Sequence, residues 1–284
     1  MNIKESLIYA ASKLQTVGIK SANLESRILM QHVTGKSIEY LLARSEERLT
    51  ELEQIIFKNL VNRRILLEPI AYIIGYKEFY GYQFIIDNKV LIPRQDTEII
   101  VDAILKNVKL KGIETNAELT ILELGTGSGC IALSLLLEMP NSNVTATDIS
   151  NEAIAIASQN AIKHKVYDRF KIINSNWFDN LEKQEFDIIV SNPPYISFDD
   201  TVYMSPETLK YEPHLALFAE DNGLASYYII AKEAKGFLKQ NGKLFLEIGF
   251  NQLAAVTEIF VSYGYTVKQV YKDLEGRDRG LLIT

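Results

Sequence analysis

The stretch Thr120-Ile121-Leu122-Glu123-Leu124-Gly125-Thr126-Gly127-Ser128-Gly129-Cys130-Ile131-Ala132-Leu133-Ser134-Leu135 decides the fold. Its first five residues have the length and apolar character of a buried strand. Three glycines on alternate positions follow, and then an apolar run that predicts a helix. Glycine permits a tight turn and lets a ligand approach the backbone. A strand that turns through glycines into a helix is the unit of an open α/β sheet, and such sheets bind ligands at the carboxyl ends of their strands. The dinucleotide pattern G-x-G-x-x-G would need glycine at position 130, where Cys130 stands. The pattern present is E-x-G-x-G-x-G, from Glu123 to Gly129. Taken alone it also fits a strand-to-helix turn that holds no ligand.

Further strand ends lie downstream. Val144–Thr147 runs into Asp148, about twenty residues past the loop, where a carboxylate can accept from both hydroxyls of a ribose. The competing reading makes Asp148 the cap of a helix starting near Asn151. Phe170–Ile173 leads to Trp177, the single tryptophan, which either borders a flat ligand ring or packs in the core. Phe186–Val190 delivers Asn192-Pro193-Pro194-Tyr195. Two prolines stiffen that turn and remove two N–H donors, leaving the Asn192 side-chain oxygen and the Pro193 carbonyl as acceptors. A final apolar run, Lys243–Ile248, reads as another strand. Helical patterns at 129–139, 151–165, 225–239 and 251–263 separate several of these, and Val267–Tyr271 with Gly280–Thr284 suggests a C-terminal antiparallel pair. Strands alternating with helices predict a mostly parallel sheet covered on both faces.

Upstream the texture differs. Apolar residues recur at helical spacing over 3–17, 22–34, 37–44 and 50–66, with Gly18 and Gly35 as stops. Residues 1–75 therefore read as a small helical bundle. Phe79 to Ile86 partly alternates, Asp87-Asn88 signals a turn and Val90-Leu91-Ile92 follows, so residues 76–94 read as a linking β-hairpin closed by Pro93. Residues 95–284 form the larger α/β domain.

The whole chain has 284 residues and a net charge of −6. Residues 1–75 carry 10 Lys+Arg against 8 Asp+Glu, and the remainder carries 20 against 28, so the larger domain is the acidic one. That argues against stable nucleic-acid binding, which a basic face usually supports. One cysteine excludes an intramolecular disulfide or a multi-cysteine zinc site, and no metal is expected. No apolar run reaches the ~18–20 residues of a membrane span, and the start, Met1-Asn2-Ile3-Lys4-Glu5-Ser6, lacks the apolar core of a signal peptide. The expectation is a cytoplasmic protein with no membrane partner.

The glycine loop resembles motif I of the Rossmann-like class I methyltransferases. The resemblance implies that Glu123, Gly125, Thr126, Gly127, Ser128 and Gly129 wrap S-adenosylmethionine, that Asp148 takes its ribose, that Trp177 lies by its adenine and that Asn192 borders its methyl group. Asn192, Pro193, Pro194 and Tyr195 then suit a methyl acceptor that is a planar nitrogen. Two acceptors take both hydrogens of an NH2 group and push electron density onto a poorly nucleophilic nitrogen, and Tyr195 offers a flat face. Holding that nitrogen about 3 Å from the methyl carbon supplies the proximity effect, and fixed dipoles stabilise the charge that develops. The proton leaves after transfer, which fits the lack of His or Cys beside the turn. Asn192, Pro193 and Tyr195 are thus the expected catalytic residues. This motif alone leaves the exocyclic amine of a DNA or RNA base and a protein glutamine amide equally open.

The flanks discriminate. Glu68-Pro69-Ile70-Ala71-Tyr72-Ile73-Ile74-Gly75, Glu78-Phe79-Tyr80-Gly81, Leu91-Ile92-Pro93-Arg94-Gln95-Asp96-Thr97-Glu98, Tyr211-Glu212-Pro213, Asp221-Asn222-Gly223 and Gly276-Arg277-Asp278-Arg279 together resemble the release-factor glutamine methyltransferase family over nearly the whole chain. The resemblance implies methylation of the glutamine in the Gly-Gly-Gln motif of peptide chain release factors, with the helical domain docking elsewhere on the factor. Gln95 departs from the family, which commonly has proline after that arginine.

Overall fold

The computed structural model describes residues 1–110 and 118–284. They form two compact units, Met1–Tyr76 with Ser205–Tyr211, and Lys77–Met204 with Glu212–Thr284.

The first unit is helical, with Ile3–Thr16, Ala22–Thr34, Ile38–Ala43, Glu51–Ile65 and Ile70–Ile74 joined by Pro206–Tyr211. Its helices start where side chains can satisfy the free N–H groups: Asn2 with Glu5 and Thr50 with Glu53 form capping boxes. Leu14, Leu29, Met30 and Phe57 fill the core. Arg64 is buried among them. Its Nε donates to Glu25 at 2.5 Å and its Nη2 to Glu207 at 2.7 Å. That ion pair brings the 205–211 segment into this unit, a link between distant positions with no local signature.

In the second unit β1 (Tyr76–Phe79) and β2 (Tyr82–Ile85) form the hairpin. Its turn is not at Asp87-Asn88, as the turn residues suggested, but at Tyr80-Gly81, whose φ values are 52° and 77°. A two-residue hairpin turn of this kind needs positive φ at both central positions. Gly81 adopts it freely, and the Tyr80 N–H is held by Glu98 Oε1 at 2.9 Å. Val90–Ile92 is then loop rather than strand, with the Ile92 N–H donating to Glu212 Oε2 at 3.1 Å.

The central sheet comprises β3 (Thr120–Leu124), β4 (Asn143–Asp148), β5 (Phe170–Asn174), β6 (Phe186–Ser191), β7 (Leu238–Glu247), β8 (Val267–Lys272) and β9 (Asp278–Ile283). Their order is β5-β4-β3-β6-β7-β9-β8. β3 to β7 pair in parallel, and β9 runs antiparallel to both neighbours, which supplies the expected C-terminal pair. The strands read as continuous apolar runs because alternate side chains enter different cores. Ile121, Ile188, Val190 and Phe245 join one cluster. Leu122, Leu124, Ile189, Leu244 and Leu246 join the other. Helices Glu98–Leu110, Cys130–Glu138 and Asn151–Lys163 cover the first face, and Ala225–Glu233 with Leu253–Ser262 covers the second. The helix expected over 225–239 ends at Glu233, and a 3-10 turn, Ala234–Phe237, leads into β7. Phe237 stacks on Phe178 at 4.9 Å, which draws the chain into the sheet earlier than its helical pattern suggests. The strand order reverses beside β3, so the loops after β3 and β6 open at a topological switch point. Among the described residues no helix is long and apolar enough to cross a membrane.

Candidate functional site

The β3 loop is tied to the tip of β4. The N–H groups of Gly125 and Thr126 both donate to the Thr147 carbonyl, at 2.9 and 3.0 Å. Gly127 N–H donates to Asp148 Oδ2 at 2.8 Å, and Ser150 N–H to Asp148 Oδ1 at 2.9 Å. The cap of helix Asn151–Lys163 is Ser150, whose Oγ accepts from Ala153 N at 3.1 Å. Asp148 therefore does not cap the helix. Each of its oxygens takes one N–H, and a carboxylate has further lone pairs to offer. Burial raises its pKa, while the N–H bonds from Ser150 and Gly127 pull the other way. Glu123, on β3, accepts the Thr126 hydroxyl, and burial pushes its carboxyl up to about 8.

These residues border a cavity of about 350 Å³. Glu123, Gly125, Thr126, Gly127, Ser128, Asp148, Trp177, Asn192 and Pro194 line it. Gly129, Pro193 and Tyr195 do not. Gly129 starts helix Cys130–Glu138 behind the loop, and Pro193 is buried under the turn. Tyr195 is half-buried, and its hydroxyl lies 3.3 Å from Glu247 Oε1 and 3.5 Å from Arg279 Nη1. Burial, with the Glu247 charge adding to it, raises the Tyr195 pKa well above the ordinary phenol value.

The acceptor turn is held from several sides. Asn192 Nδ2 donates to Thr97 Oγ1 at 3.3 Å, which leaves the Asn192 side-chain carbonyl as the free acceptor. Ser226 Oγ donates to the Pro194 carbonyl at 2.9 Å, and Gln252 Nε2 to the Tyr195 carbonyl at 2.9 Å. Arg94, also on the cavity wall, pairs with Glu212 at 2.5 Å rather than with Asp96 or Glu98. Asp96 lies 3.5 Å from Arg279, and Glu98 holds the hairpin turn. Asn160, Ser226, Glu247 and Gln252 carry no signal of a site role in the sequence, and Thr97 is marked only as part of the Leu91–Glu98 stretch. Each sits in a plain helix, turn or strand pattern and meets the site only through the fold.

The donor set fits a nucleoside-bearing cofactor. Gly125, Gly127 and Gly129 all have positive φ and give the loop a surface without side chains. Asp148 supplies one carboxylate and Trp177 one large aromatic ring, in a cavity whose volume lies within the roughly 300–1,000 Å³ of small-molecule sites. Among the described residues no group of three or more His, Cys, Asp or Glu is arranged to hold a metal ion.

The chain is similar to several known proteins. Residues 102–209 match the family described as the methyltransferase small domain, and residues 5–75 match the PrmC N-terminal domain. Over its whole length the chain is 53% identical to a bifunctional methyltransferase of Rickettsia prowazekii and covers 57% of it. The chain thus spans little more than half of such relatives. It is 37% identical to the release factor glutamine methyltransferase of Agrobacterium fabrum, over 98% of this chain and 96% of that one. A methyltransferase from Pyrococcus furiosus superposes with a TM-score of 0.53 at 21% identity, over 78% of this chain and 96% of that one, and shares the fold. With near-complete mutual coverage at that level of identity, the chain belongs to the release factor glutamine methyltransferase family.

Proposed function

We propose that this chain transfers a methyl group from S-adenosylmethionine to the side-chain nitrogen of the glutamine in the Gly-Gly-Gln motif of peptide chain release factors, and that it acts in the cytoplasm. The observation that carries this reading is the orientation of Asn192. Its amide nitrogen is engaged by Thr97, so its oxygen is left to accept, in the same cavity as the glycine loop and Asp148. The activity for which the Agrobacterium relative is named supports the choice of a glutamine amide.

When bound, S-adenosylmethionine supplies a methyl group on a cationic sulfur. The β3 loop and Asp148 would hold it, with Trp177 beside its flat ring. The Asn192 side-chain oxygen would accept a hydrogen of the glutamine NH2 and fix the direction of its lone pair. Ser226 and Gln252, by holding the Pro194 and Tyr195 carbonyls, keep that turn from relaxing. No group in the turn need remove a proton before transfer, because nitrogen loses it readily once alkylated. The helical unit would dock on the release factor away from the Gly-Gly-Gln loop.

The test is to incubate the purified chain with a release factor and S-adenosylmethionine and to weigh the Gly-Gly-Gln peptide by mass spectrometry. A gain of one methyl on glutamine is expected. Label transferred to DNA or RNA bases and not to the factor would overturn the reading.

A further inference from the structure

Behind Asn192 stands a layer of buried polar groups, of which Thr97 borders the cavity and Glu247 and Arg279 do not. Thr97 is 2% exposed, Glu247 1% and Arg279 7%. Thr97 Oγ1 accepts from Asn192 Nδ2. A hydroxyl that accepts still has its own proton to give. Burial opposes the charge on Glu247, and of the groups that favour it the Thr97 hydroxyl does so most, as a donor to it would. Glu247 Oε2 is buried and has no hydrogen bond of good geometry, so it is the acceptor still unfilled at this point. Glu247 Oε1 faces the Tyr195 hydroxyl at 3.3 Å. Arg279 on β9 and Asp96 in the turn Gln95–Thr97 complete the charges around it, and the Tyr227 hydroxyl bonds the Glu247 main-chain carbonyl at 3.1 Å.

We propose that Glu247 is a positioning residue that sets, through Thr97, which end of the Asn192 amide faces the methyl acceptor. The proposal rests on Asn192 as the residue that receives the acceptor NH2. The two ends of a primary amide have almost the same shape, so packing alone does not choose between them. A flipped Asn192 would present its NH2 to an incoming NH2, donor against donor. Thr97 cannot choose either, since a hydroxyl both gives and accepts. A carboxylate only accepts. Ionised Glu247 claims the Thr97 proton, Thr97 is left as acceptor toward Asn192, and the Asn192 oxygen turns to the cavity. Protonated Glu247 can instead donate to Thr97, freeing the Thr97 proton for the Asn192 oxygen. Burial pushes Glu247 up to about 7, against the pull of Thr97, Arg279 and Tyr195. The productive orientation therefore weakens as pH falls below neutrality.

The experiment compares wild type, Glu247→Gln, Thr97→Ser and Thr97→Val on both sides of neutral pH. Glutamine at 247 can donate to Thr97 at any pH, so Glu247→Gln should lose about 100-fold in kcat, the scale of a misplaced reacting group, with S-adenosylhomocysteine affinity unchanged. It should also lose the rise of kcat toward alkaline pH. Thr97→Ser should keep wild-type kcat, whereas Thr97→Val should behave as Glu247→Gln does. A second readout needs no turnover. In protein labelled with nitrogen-15 asparagine, the Asn192 side-chain signal, assigned by its loss in Asn192→Ala, should shift with a midpoint near about 7 in wild type and stay fixed in Glu247→Gln. Wild-type kcat and pH profile in Glu247→Gln, or an Asn192 signal that titrates alike in both, would overturn the proposal. Should Glu247→Gln not fold, equal kcat in Thr97→Ser and Thr97→Val overturns it. Titration of the Asn192 signal in a wild type that leaves release factor unmethylated would sink the acceptor assignment and leave the coupling standing.

Discussion

Asn160, fully buried in helix Asn151–Lys163, joins the hairpin to the glycine loop: its Nδ2 donates to the Ser128 carbonyl and to the Ile85 carbonyl, each at 2.9 Å, and its Oδ1 accepts from Ile85 N at 2.7 Å. One side chain thus satisfies three backbone groups on two segments. Asn160→Ala leaves those groups unpaired and is expected to destabilise the protein by about 1–3 kcal/mol. The loop loses its tether as well, so S-adenosylhomocysteine should bind more weakly while kcat at saturation holds. Urea unfolding and calorimetric titration check the two effects, and unchanged affinity would show that the tether does not shape the loop.

Asp148 offers a sharper probe of the cofactor reading. In Asp148→Asn a single carbonyl oxygen must serve both Gly127 N–H and Ser150 N–H, and the charge is gone. Affinity for S-adenosylhomocysteine should fall about 10- to 100-fold, the worth of one hydrogen bond to a charged group. Calorimetry measures it. Full affinity in this variant would remove Asp148 from the site.

Stability should depend on pH through Glu123. Its carboxyl is raised to about 8 when folded, because burial disfavours the charge. The native state then keeps a proton that the unfolded chain releases. This contribution is complete below the ordinary carboxylate range and is lost as pH rises through about 8. Between those limits stability falls with rising pH by at most about 1.4 kcal/mol per pH unit for this group. Glu247 acts in the same direction up to about 7. Urea midpoints of the cofactor-free protein should therefore be higher in mild acid than in mild alkali, with a flatter dependence in Glu123→Gln. The same slope in both would exclude Glu123 as its source.

In the helical unit Arg64 is the residue whose loss should cost most. Its guanidinium is buried, yet its pKa is raised: burial opposes the charge, and the bonds to Glu25 and Glu207 outweigh it. Arg64→Met would leave the Glu25 carboxylate buried without its partner, a change that costs about 3–5 kcal/mol. The midpoint of the helical circular dichroism signal on denaturation reports it. A loss under about 1 kcal/mol, the size of a surface pair, would mean the pair is solvated.

Much of this was legible in the chain itself. The glycine loop, the strand tip at Asp148 and the Asn192–Tyr195 turn are contiguous, and the conformation of each follows from its own residue types. The alternation of strands and helices predicts the covered sheet, since apolar runs need both faces buried. The hairpin shows the limit. The chain does turn at Asp87-Asn88, where the Val90 N–H reaches the Asp87 carbonyl at 3.3 Å, but the strands pair across Tyr80-Gly81, where Glu98 of the next helix holds the Tyr80 N–H.

By itself, then, the sequence determined the fold class, the loop that can cradle a cofactor and the turn that can take an NH2 group. The tertiary structure decided which way that turn is oriented. Thr97, Glu247, Gln252 and Arg279 come from a turn, a strand end, a helix start and the last strand. Hydrogen bonds among such distant groups depend on where the sheet brings their backbones, and no local pattern encodes that.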